Sequence, residues 1–109
     1  MNVSELIEII HKRPGMFAEN ICLEEISQFI GGFVFANVRS VQIDEIDIAF
    51  KNHFHEWVRK TIELEYNIRF EEDRNYTYYI NACFEPEKRL DIFFDMCDRF
   101  FSEYREKSD

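Results

Sequence analysis

The chain reads as a mostly α-helical single domain over residues 1–109, a bundle of about four to five helices. Three observations point there. Apolar residues recur in several stretches at the i, i+3, i+4, i+7 spacing of a helix face. Only 3 Gly and 2 Pro interrupt the sequence, too few for the many turns of a β-sandwich or barrel. Aromatic residues make up 17% of the chain, with 12 Phe among them, and a chain of this length can bury one adequate core without disulfides or metal.

The elements follow in order. Asn2 to Glu5 has the pattern of a capping box, with Asn2 as N-cap and Glu5 reaching back. Val3, Leu6, Ile7 and Ile10 then fall at helical spacing, so a first helix is expected over about 3–12. Arg13-Pro14-Gly15-Met16-Phe17 cannot continue it, because Pro14 drives Arg13 out of the α region and Gly15 permits an excursion that other residues resist. A structural turn is expected there, with Phe17 plugging the core and Gly15 intolerant of Ala if its φ is positive. The second helix, over about 22–37, rests on Leu23, Ile26, Phe29, Ile30, Phe33 and Val34. Gly31 and Gly32 inside it cost about 1 kcal/mol each relative to Ala. They read as a site of very close packing by another backbone, with a kink as the alternative.

Residues 38–49 are ambiguous. The alternation Ile46-Asp47-Ile48-Ala49-Phe50 fits a short strand near 43–50 as well as a loop feeding a helix. A third helix is expected from about 50 to 66 on Phe50, Phe54, Trp57, Val58 and Ile62. Residues 76–84 fit either a short helix capped by Asn75 or a strand, since the run is rich in β-formers. Pro86 suits the first turn of the last helix. Its stripe of Leu90, Phe93, Phe94, Cys97, Phe100, Phe101 and Tyr104 is the strongest in the chain, and Leu90, Phe93, Phe94, Cys97 and Phe101 are expected to be largely buried. The tail from Arg105 to Asp109 is expected to fray.

Charge and composition narrow the function classes. The formal net charge is -9, which repels phosphate backbones and disfavours nucleic acid as a partner. It suits a basic protein partner, or serves solubility alone. No apolar run approaches the roughly 18 residues that span a membrane. Glu5 and Glu8 near the start leave no basic leader region, so a cytoplasmic location is expected. Cys22, Cys83 and Cys97 are odd in number and lack CxxC spacing, which indicates reduced thiols rather than a disulfide framework or a zinc site. His53 and His55 lie two apart, so on a helix they diverge and read as surface histidines; no metal is expected. There is no strained nucleophile turn and no Gly-rich phosphate loop, so neither an enzyme nor a cofactor is expected.

Two acidic groups are candidate partner-binding residues. Glu87, Asp91, Asp95 and Asp98 recur at helical spacing on the last helix, opposite the Phe stripe. Their mutual repulsion is a few tenths of a kcal/mol per pair, which a basic partner would relieve; an ordinary solvated face is the alternative. Asp44, Glu45 and Asp47 form a second group in the ambiguous loop.

Arg13 to Phe17, preceded by Ile10-His11-Lys12, is similar to a stretch at the start of the gyrase B ATPase domain. That family needs a Glu and an Asn on the next helix, and here no matching Asn accompanies Glu24, Glu25 and Gln28. The closer resemblance is to small bacterial proteins of this length with an Arg-Pro-Gly-Met-(Tyr/Phe) turn. In them a helix like the one carrying Leu23, Ile26, Phe29, Ile30, Gly32 and Phe33 follows, then a Phe-x-x-Trp-Val like Phe54 to Val58. A last helix like Phe93 to Phe100 completes the pattern. Those proteins look like immunity proteins found beside polymorphic or contact-dependent toxins. The resemblance implies a helical fold, no catalytic residues and a protein partner, possession of a basic toxin domain being the expected trait of that partner. The alternative is a non-catalytic structural or regulatory subunit, built as a homodimer on surplus Phe surface.

Overall fold

The computed structural model describes residues 1–108. Five α-helices form: α1 (Val3–Lys12), α2 (Leu23–Asn37), α3 (Glu45–Tyr66), α4 (Tyr76–Cys83) and α5 (Pro86–Ser108), with one 3₁₀ turn over Pro14–Met16. Among the described residues there is no strand. The Cα radius of gyration is 13.8 Å. α1 packs on α2, α3 and α5, and α3 and α5 enclose α4.

The first helix starts as its sequence directs. Asn2 accepts the Glu5 N–H at 2.9 Å and the Glu5 carboxylate accepts the Asn2 N–H at 3.1 Å. Arg13 ends the helix at φ -143 and ψ 65, outside the α region that a following proline disfavours. Gly15 does not have a positive φ, and a Cβ there would meet only Ile21 at 3.7 Å. Its expected intolerance of Ala therefore falls away. Phe17 is half-buried at the edge of the core, its ring meeting Phe29 edge-on at 5.3 Å.

The ambiguous stretch resolves as helix. α3 begins at Glu45, five positions before the expected start, with Asp44 as its N-cap accepting the Ile46 N–H at 3.0 Å. The apparent strand alternation at 43–50 arises because Asp47 is itself a core residue, 1% exposed. Ile46, Phe50, Phe54, Val58 and Ile62 are all buried on one continuous face. At 76–84 the chain is also helical rather than extended. Asn75 caps it by accepting the Tyr78 N–H at 3.0 Å, and Tyr76, Tyr79 and Ile80 are buried together. A strand would split Tyr76 and Tyr79 between opposite faces.

Phe54 is the hub of the core. The rings of Phe50, Tyr76, Phe93 and Phe100 surround it at centroid distances of 4.6 to 6.1 Å. Phe93, Phe94, Cys97 and Phe101 are buried as expected, with Phe94 4% exposed, while Leu90 is half-buried. α5 is helical to Ser108, through the tail expected to fray; Asp109 lies outside the described residues. On α2, Leu23, Ile26, Ile30 and Val34 face the core, but Phe29 is 41% exposed and Phe33 only half-buried. A Cβ on Gly31 or Gly32 would meet nothing within 4 Å, so the close packing expected at these glycines is absent from the fold.

Asp47 ties three helices. Its carboxylate accepts the Val3 N–H at 2.6 Å and the Asn37 Nδ2–H at 3.1 Å. Asp47→Ala should cost about 2–4 kcal/mol, since it strands buried donors, whereas Gly15→Ala should stay within about 0.5 kcal/mol of wild type. Urea denaturation of both variants checks the contrast.

Candidate functional site

The acidic residues of α5 line a groove. Because Phe93, Phe94, Cys97 and Phe101 turn inward, Asp91, Asp95 and Asp98 turn out. The groove holds about 540 Å³ between α5 and α1, with Asp91, Asp95 and Asp98 on one wall and Glu8 and His11 on the other. From that wall the His11 ring reaches over the floor and stacks on Phe94 at 4.3 Å with the planes 10° apart. Arg105 closes one end by donating to the Ser4 hydroxyl at 3.0 Å.

The counter-charges are sparse. Glu8 pairs loosely with Lys12 at 3.9 Å, and both are exposed. Asp95 lies 3.7 Å from Arg99, but Arg99 makes its shorter contact with Glu65 on α3, at 2.5 Å. That hydrogen bond to Glu65 is also the main cause holding the Arg99 pKa above its ordinary value. Among the described residues, Asp91 and Asp98 have no ion pair. Exposed surface pairs such as those of Glu8 and Asp95 contribute little to stability. The groove therefore presents exposed carboxylates, with the Arg105 cation at one end, around the stacked rings of His11 and Phe94.

Not all the sequence candidates share this place. Glu87 is exposed on α5 but outside the groove lining. Of the second acidic group, Asp44 caps α3 and Glu45 and Asp47 lie in its first turn, rather than in a loop. Asp44 is occupied in capping and accepts the Asn2 Nδ2–H at 3.2 Å. Asp47 is buried, so it cannot touch a partner, and Glu45 alone of the three is exposed and uncommitted. Arg13 to Met16 form the 3₁₀ turn and its entry, away from the groove lining. Glu8 and His11 join the site from α1. Their position three residues apart near the end of the first helix placed them on one face, but nothing in the sequence said which helix that face would meet.

The histidines separate more sharply than expected. His53 is exposed, but His55 is half-buried and is not a surface residue. Its Nδ1 accepts the Tyr76 N–H at 3.0 Å and its ring stacks on Tyr76 at 5.1 Å. Burial pushes the Cys83 and Cys97 thiols above their ordinary pKa, Cys97 strongly. Both are thus held in the protonated, weakly nucleophilic form. Among the described residues, no three of His, Cys, Asp and Glu gather in a group that could hold a metal. Among the described residues, no helix is long and apolar enough to cross a membrane. In comparisons with protein-family models, curated proteins and solved structures, the chain matches none.

The His55 contact has a pH signature. Burial lowers its pKa from an ordinary histidine value of about 6.5. Above that value the imidazole is neutral in both the folded and the unfolded chain. As pH falls through about 6.5, the unfolded chain takes up the proton first, so stability declines until the lower folded value is reached. His55→Gln should remove this component. The stability difference between wild type and variant, measured by denaturation from about pH 8 to pH 5, should shrink as pH falls.

Proposed function

We propose that this chain is an immunity-type protein that neutralises a cognate bacterial toxin by binding it, with the α1–α5 groove as the docking face. The observation that carries the reading is the convergence of Asp91, Asp95, Asp98 and Glu8 around the His11–Phe94 floor. An apolar floor supplies a seat for an anchor side chain, and such anchors carry most of the affinity of protein interfaces. Rim carboxylates steer a basic partner and discriminate against acidic ones. The net charge of -9 extends that steering beyond the groove. The resemblance to immunity proteins built on an Arg-Pro-Gly-Met-(Tyr/Phe) turn supports the same reading.

The first test is co-expression with the protein encoded by the adjacent gene and capture of a stable complex. Kinetics then test the groove. Asp91, Asp95 and Asp98 are exposed, so their triple replacement by Lys should leave the fold intact. Association should slow by about tenfold or more at low salt, with the gap closing at high salt and little change in dissociation. Rate constants that ignore both the substitutions and the salt would remove the groove as the docking face.

A further inference from the structure

The second helix carries a feature that its own fold does not use. Gly31 and Gly32 are unfavourable in a helix interior, yet neither has a positive φ and neither packs against a neighbour. Around them, α2 turns Phe29 and Phe35 outward, 41% and 57% exposed. From Ile26 to Ile43 the chain has no carboxylate, and Arg39 is its single charge. Gly31 borders a hollow of about 240 Å³ walled by Val34, Phe50, His55 and Tyr76. Phe35 forms part of its rim, with the Arg39 guanidinium over its ring at 4.1 Å. A hole and a projecting ring thus lie one helical turn apart on one face.

We infer that this face is a two-fold interface with a second copy of the chain, in which Phe35 of each copy enters the hollow beside Gly31 of the other. The spacing makes the surface complementary to itself. If two α2 helices cross antiparallel about an axis midway between Gly31 and Phe35, each ring meets the other copy's hollow. That reciprocity is what an isologous contact demands. The missing side chains at Gly31 and Gly32 let the helix axes come close. Charge selects the same occupant. Two copies at -9 repel each other over most of their surface. This stretch has no carboxylate, and the cations Arg39 and Lys51 flank it. A basic partner finds no counter-charge here, whereas two copies meeting at this face bring no carboxylate of the hollow's lining together. The surface is separate from the α1–α5 groove and does not depend on whether a toxin binds there.

Sedimentation equilibrium on the full chain, from about 1 to about 100 μM, tests this. The wild type should show a monomer–dimer equilibrium in that range. Gly31→Leu fills the hollow and Phe35→Ala removes the ring, so each should weaken dimerisation at least tenfold, an effect expected of a central interface residue. Gly31→Leu should melt at the same temperature as wild type or higher, because leucine favours helix and a Cβ at this position meets nothing within 4 Å. This separates lost association from lost folding. Mixed together, the two variants should form a heterodimer. There Phe35 of the first seats beside Gly31 of the second, and the introduced leucine faces the space that Phe35→Ala vacates. A wild type that stays monomeric throughout overturns the inference. So does a dimer indifferent to both substitutions, or a mixture that recovers no heterodimer. A monomer whose capture by a neighbouring gene product is abolished by Gly31→Leu would assign the face to that partner, and the homodimer would fall.

Discussion

The buried carboxylate of Asp47 fixes how the first three helices meet, and the placing of the groove follows from it. A carboxylate taken out of water is unfavourable unless donors surround it. Here Val3 donates from the first turn of α1 and Asn37 from the last residue of α2. Asp47 itself sits in the first turn of α3. The positive ends of the α1 and α3 dipoles thus converge on one negative charge. Asn37 also donates to the Met1 carbonyl at 3.0 Å, and Asn2 to Asp44, so the N-terminal end of α1 is held from two sides. With that end fixed, the rest of α1 is laid along α5, and Glu8 and His11 come to face Asp91 and Asp95.

The aromatic core fixes the other wall. Phe54 on α3 meets Phe93 and Phe100 of α5 nearly at right angles, at 6.1 and 5.3 Å. Edge-to-face pairs prefer defined orientations, which helps to set the rotation of α5 about its axis. That rotation is what turns the carboxylates outward. Tyr76 extends the same control to α4. Its ring stacks on Phe93 and its hydroxyl bonds Ser27 on α2 at 3.0 Å, while its backbone N–H is given to His55. The groove is therefore a product of the core packing and not of local sequence around the acids.

Much of the fold was legible because its signals are local. Spacing of Val3, Leu6, Ile7 and Ile10 and the Asn2 capping box define α1 without reference to anything distant. The stripe on α5 does the same. What the sequence concealed depends on long-range partners. Asp47 looked like the polar half of a strand alternation, because burial of an acid is evident only once Val3 and Asn37 are seen to satisfy it. The signal that α3 starts early was present in the i, i+4 series from Ile46 to Ile62 with Asp44 before it. His55 looked like a surface histidine for the same reason, its partner being a backbone N–H twenty-one positions away. On α2 the apolar residues outnumber the inward positions, so Phe29 and Phe35 fit a helical pattern while facing solvent. For the site, the three aspartates of α5 were readable as a ridge; its partner wall, Glu8 and His11, was not.

The surface that results is divided by charge, and the division assigns different physics to its parts. Around the α1–α5 groove the carboxylates remain hydrated, so they contribute little to holding a bound partner. On the proposed reading, their field acts before contact, on the rate and on the sign of charge admitted. On the same reading, the affinity of that face comes from whatever covers His11 and Phe94. Beyond its first turn α2 carries no carboxylate, and the helix instead carries two glycines, at about 1 kcal/mol each, against a total stability expected at about 5–15 kcal/mol. Exposed positions filled by alanine would be more stable for the monomer alone, since a Cβ there meets nothing. The unfavourable residues lie beside exposed rings, in a stretch and around a hollow that hold no carboxylate. A contact between surfaces would recover that stability, and nothing within the monomer does.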